Sequence, residues 1–128
     1  MRKHILAIDS SKAVRHFLQT MLGQQYHIVT APDGYSALYY LKHNAIPDLI
    51  ICDPVLPDFE DWELIEHFTD SIQFRTVPLL VIAHMAQDEL ETTSLGIGVL
   101  HYLQKPLYPG SLMLEIGRIM EENPSLIY

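Results

Sequence analysis

Cysteine and positive charge are what this chain has least of. One cysteine, Cys52, stands among 128 residues, so no internal disulfide can staple the fold. It lies inside the apolar run Leu-Ile-Ile-Cys, where a thiol acts as a small hydrophobe in a reducing compartment. Lysine and arginine total 8 against 16 aspartates and glutamates, for a formal net charge of −8. That balance argues against nucleic acid or an anionic membrane as a direct partner. No apolar stretch approaches the roughly 20 residues that cross a bilayer. The opening Met-Arg-Lys-His runs into a strand-like segment too short for a signal peptide, so the expected location is cytoplasmic. The seven histidines (4, 16, 27, 43, 67, 84 and 101) show no paired ligand spacing, and no zinc site is predicted. Repeats, low-complexity tracts and linkers are absent. Residues 1–128 therefore read as one domain, long enough to bury a core without metal or disulfide.

What is present is an alternation of apolar runs and helical periods. Ile5 to Ile8 reads as a strand. Val14, Phe17, Leu18, Met21 and Leu22 then recur at helical spacing, and Gly23 stops them. Tyr26 to Thr30 is a second strand, and Asp33-Gly34 opens a helix carrying Leu38 and Leu41. Leu49 to Cys52 is a third strand, and Leu64, Ile65, Phe68 and Ile72 give one face of a third helix. Pro78 leads a fourth strand through Ile82. Gln87 to Ser94 is a weaker, polar helix, and Gly96-Ile97-Gly98 is better read as a helix stop than as a nucleotide loop. A short strand around Tyr102 and Leu103 precedes a last helix with Leu112, Ile116, Ile119 and Met120 inward. Continuously apolar strands alternating with helices predict an α/β fold, a parallel sheet covered on both faces.

Three charged residues close strands of that sheet: Asp9, Asp53 and Lys105. An open α/β sheet binds ligands beyond the carboxyl ends of its strands, so these three should meet there. A strand-end aspartate alone is as well explained as a cap on the next loop. Two such aspartates with a lysine at a third strand end are not.

The segments around these residues resemble the receiver domain of two-component response regulators over essentially the whole chain. Ile8-Asp9-Ser10-Ser11-Lys12-Ala13-Val14-Arg15 looks like the family's opening motif. Asp48-Leu49-Ile50-Ile51-Cys52-Asp53 followed by Pro57 is similar to its phosphoacceptor strand and loop. Tyr102-Leu103-Gln104-Lys105-Pro106 matches its last strand. The resemblance implies a flavodoxin-like, doubly wound sheet in the order 2-1-3-4-5 with five helices. It implies a non-enzymatic role in which Asp53 accepts a phosphoryl group from a histidine kinase or phosphotransfer protein. Lys105 would neutralise the phosphoryl oxygens. Asp9, Asp53 and the backbone carbonyl of Val55 would hold Mg²⁺. A downstream protein would dock on the fourth helix, fifth strand and last helix, at Leu95, His101 and Tyr102.

The sequence also departs from that pattern. Ser10 stands where the family has a second acid, and a neutral hydroxyl is a poor Mg²⁺ ligand, so binding should be weak or absent. Ala83 stands where a serine or threonine would bond the phosphoryl group, so the link to Tyr102 should be impaired. His84 is either an exposed loop histidine or a replacement donor, pH-dependent because histidine ordinarily titrates near 6.5. The loop glycine expected before the third helix is missing from Asp58-Phe59-Glu60-Asp61-Trp62. The acidic run from Asp58 to Glu66 reads as a solvated helix start, or as a field that repels phosphodonors. A haloacid-dehalogenase phosphatase is a poor fit, because Asp53-Pro54-Val55 lacks the second aspartate. Two functions remain: a phosphoacceptor with impaired switching, or a pseudo-receiver that signals through its surface without phosphorylation.

Overall fold

The three central strands are apolar on both faces, and helices cover both. The computed structural model describes residues 2–122. The order is β1 (His4–Ile8), α1 (Lys12–Leu22), β2 (His27–Ala31), α2 (Gly34–His43), β3 (Leu49–Cys52), α3 (Glu63–Asp70), β4 (Leu79–Ala83), α4 (Gln87–Gly96), β5 (His101–Gln104) and α5 (Pro109–Glu122). The five strands pair in parallel in the order β2-β1-β3-β4-β5. This is the flavodoxin-like, doubly wound sheet that the sequence implied.

The pleat sorts alternate residues into two cores. Leu6, Ile8, Ile50, Cys52, Val81 and Ala83 face a cluster with Ala37, Leu41, Leu64, Ile65, Phe68 and Leu90, from α2, α3 and α4. Ile5, Ala7, Leu49, Ile51, Leu80 and Ile82 face Leu18, Leu22, Leu112, Ile116 and Ile119, from α1 and α5. Burying each such Leu or Ile contributes about 1.5–3 kcal/mol. Register then sets the functional edge. Ile8 lies beside Cys52 and Ala83 beside Gln104, so Asp9, Asp53 and Lys105 each leave the sheet at one end.

One core residue was misplaced by periodicity. Ile72 is 83% exposed, because α3 ends at Asp70 and the chain turns at Ser71, whose hydroxyl accepts the Gln73 N–H. Phe74 fills the core instead, edge-to-face against Phe68 with centroids 5.8 Å apart. α4 is the weak helix expected: it has no side-chain N-cap and buries only Leu90 and Ser94. The Ser94 hydroxyl is buried with no hydrogen-bond partner. Ser94→Ala removes an unsatisfied polar atom and improves helix propensity, so urea unfolding should show a gain of about 1 kcal/mol. A loss would mean the hydroxyl is satisfied by bound water.

Candidate functional site

The three strand-end residues meet. The Lys105 ammonium donates to Asp9 Oδ2 at 2.7 Å and to Asp53 Oδ2 at 2.5 Å. All three are buried. Backbone bonds fix each one a step past its strand: Asp9 N–H to the Ala31 carbonyl, Asp53 N–H to the Ile8 carbonyl, and Lys105 N–H to the Ala83 carbonyl. The second oxygens are also occupied. Asp9 Oδ1 accepts the Ser11 N–H at 2.9 Å and Asp53 Oδ1 accepts the Val55 N–H at 2.7 Å. Arg15 on α1 donates to the Asp9 carbonyl at 2.9 Å, and the Ser11 hydroxyl caps α1 by accepting the Val14 N–H.

Burial by itself lowers the Lys105 pKa, but hydrogen bonds and charge from Asp53 and Asp9 outweigh it and hold the ammonium above its ordinary value. Burial, then the charges of Asp53 and Asp9, push the Cys52 thiol well above the usual range, which keeps it an inert core residue.

A cavity of about 320 Å³ opens over these residues, lined by Asp9, Ser10, Asp53, Val55, Ala83, His84, Met85 and Lys105 among others. Every residue singled out at this edge of the sequence lines it except Tyr102, which is half-buried on β5. A larger cavity of about 360 Å³ lies at the opposite end of the sheet, by Pro78, Leu79 and His101. Among the described residues no three His, Cys, Asp or Glu side chains gather as a metal cluster.

Ala83 offers the cavity no donor. Instead, the Gln104 amide donates to the Met85 carbonyl at 2.8 Å and ties the β4–α4 loop to β5. Burial, then the neighbouring Glu91 and Glu115 carboxylates, raise the Tyr102 phenol pKa, and its ring packs against the cluster that holds Leu90 of α4. His101 pairs with Glu115 at 3.3 Å and Glu115 with Arg118 at 2.9 Å.

The acidic loop is not merely solvated. Asp58 accepts the Gly34 and Tyr35 N–H groups at 2.9 and 2.8 Å and caps α2, not α3. Phe59 covers Gly34 so closely that a Cβ there would meet its ring at 2.2 Å. Trp62 takes the conformation left by the missing glycine, at φ 69°, with its N–H on the Pro54 carbonyl at 2.8 Å. A left-handed tryptophan costs roughly 1–2 kcal/mol, offset by packing its ring on the core. Asp58 and Gln104 act across 23 and 19 residues of sequence, and no local pattern marks them.

Comparisons with known proteins place the fold and the family. A family model described as the response regulator receiver domain matches residues 5–117. The hybrid signal transduction histidine kinase D of Dictyostelium discoideum is 29% identical over 91% of this chain and 7% of the kinase. The virulence transcriptional regulatory protein PhoP of Salmonella typhimurium is 30% identical over 95% of this chain and 54% of PhoP. The chain thus spans well under two thirds of these relatives. The chemotaxis response regulator CheY4 of Vibrio cholerae superposes with a TM-score of 0.82 at 26% identity, covering 93% of this chain and 99% of that structure. The chain belongs to the response regulator receiver domain family.

Proposed function

We propose that this domain accepts a phosphoryl group on Asp53 from a histidine kinase or phosphotransfer protein, and that its switching is impaired. The observation that carries the reading is the Lys105 ammonium bonded to both Asp9 and Asp53 at the end of the sheet. In the transfer, an Asp53 carboxylate oxygen bonds to phosphorus as the donor's bond to phosphorus breaks. Lys105 stays protonated and neutralises the phosphoryl oxygens. His84 lines the same cavity and is the candidate substitute for the missing hydroxyl.

Receiver domains typically bind Mg²⁺ beside the phosphoacceptor. The donors here fit a hard cation in kind but fall one carboxylate short: Asp9, Asp53, the Val55 carbonyl and the Ser10 hydroxyl. Bound there, Mg²⁺ would add positive charge beside the phosphoryl group. Affinity should be weak, and Ser10→Asp should raise it at least tenfold, read by titration of Trp62 fluorescence. A parent that already binds at micromolar levels, with no gain in Ser10→Asp, would refute this.

The direct test is incubation with a small phosphodonor and Mg²⁺, followed by intact mass measurement. The parent should gain one phosphoryl group and Asp53→Asn none. The second reading, a pseudo-receiver acting through its surface alone, is favoured by Ala83 and by the Gln104 tether of the β4–α4 loop. It becomes the better reading if the parent gains no mass while a complete receiver does so in parallel.

A further inference from the structure

The outer face of α2 carries a stripe that the phosphoryl site does not use. Tyr35, Tyr39 and His43 follow one another at four-residue spacing, the spacing that stacks side chains along one line of a helix. Tyr35 is 71% and Tyr39 68% exposed, and His43 is exposed beside them. Ile46, just past the helix, is also exposed. The Tyr39 and His43 rings stack at 4.2 Å, and Tyr35 leans on Phe59 at 5.8 Å. These contacts limit the freedom of the rings, and the double cap from Asp33 and Asp58 fixes the first turn of the helix. Little conformational entropy is left to lose on association. Tyrosine combines large apolar area with a polar tip, the composition of an interface rather than of a solvated helix.

Charge along the stripe identifies its occupant. At the N-terminal end lie the two capping carboxylates, Asp33 and Asp58. Lys42 and His43 lie in the last turn. A partner helix lying antiparallel must be basic where this one is acidic, acidic where this one is basic, and apolar between. A second copy of α2 meets all three requirements when related by a two-fold axis near Tyr39, and it aligns the two helix dipoles favourably.

We propose that this protein self-associates through α2, packed antiparallel on α2 of a second copy, with Tyr39 at the centre, Tyr35 opposite His43 of the other copy, and the acidic and basic ends in register. The proposal stands apart from phosphorylation and does not rest on it. A helix of 10 residues is only about 15 Å long, so the interface falls in the small, transient class.

The test is sedimentation equilibrium of the whole chain from about 10 μM to about 1 mM, the range in which a transient contact becomes visible. The parent should pass from monomer to dimer. Tyr35→Ser/Tyr39→Ser should stay monomeric throughout, with unchanged circular dichroism, since both side chains are exposed. Leu114→Ser, on the exposed face of α5, should dimerise like the parent. Lys42→Glu should weaken the dimer at least tenfold, and salt should weaken the parent dimer, because acidic ends would then face no partner charge. A parent that stays monomeric overturns the proposal. So does a dimer that survives the double tyrosine variant, is lost in Leu114→Ser, or ignores both Lys42→Glu and salt.

Discussion

Lys105→Met should lower the unfolding free energy by about 3–5 kcal/mol at neutral pH, the usual cost of removing one partner from a buried ion pair. The site makes this severe because two carboxylates share the one ammonium. Asp9 and Asp53 each lie within a hydrogen bond of the same nitrogen, and both are buried. Methionine keeps the length of the side chain, so the loss is electrostatic rather than a cavity. With the cation gone, two buried carboxylates are left side by side without a counter-charge. At the alkaline end the sign follows from Lys105 itself. Its folded pKa is raised, so its contribution is fully present below the ordinary lysine value of about 10.4 and is lost as pH rises through the folded value. The difference between parent and variant should therefore narrow as pH rises through the folded Lys105 value. Urea unfolding across pH checks this, and a flat difference near 1 kcal/mol would mean that the bridge is exposed and weak.

What could be read in advance divides along the range of the interactions. Strands buried on both faces are written locally, as continuous apolar runs, and a parallel sheet then places their ends together. Asp9, Asp53 and Lys105 were legible for that reason. Ser10 and Ala83 were legible as gaps in the same pattern. The end of α3 was not, because Ile72 satisfies the helical period as well as Phe68 does, and the turn at Ser71 overrides it. Asp58 was the larger miss. Acidic residues ahead of a helix suggest that helix's own dipole, yet this carboxylate reaches the N-terminus of α2. Trp62 hid a glycine-like backbone behind the least glycine-like side chain. The Asp58 contact is tertiary, and sequence spacing carries no trace of it.

Beryllofluoride, a phosphoryl mimic, should leave amide exchange across Gln87 to Gly98 and at Tyr102 unchanged, even at concentrations where it occupies the site. A two-state element moves only by the difference in free energy that its ligand makes with the two states. The hydroxyl that would make that difference is absent at Ala83, and a hydrogen bond to a charged group is worth about 1.5–3 kcal/mol, roughly a ten- to hundredfold bias. The loop is also held by a bond indifferent to the ligand, from the Gln104 amide to the Met85 carbonyl at 2.8 Å. That bond contributes about 0.5–1.5 kcal/mol to whichever position the loop already has. Tyr102 meanwhile packs half-buried against the core cluster that holds Leu90 of α4, and it does not line the cavity. Restoring the donor alone, in Ala83→Thr, should give mimic-dependent exchange in α4. Adding Gln104→Leu should enlarge the response, because the tether no longer opposes it. A large change in the parent would show that His84, already at the cavity wall, supplies the missing bond. Ala83→Thr/His84→Ala would then respond less than Ala83→Thr alone, whereas uncoupling through Ala83 and Gln104 requires the two to respond alike.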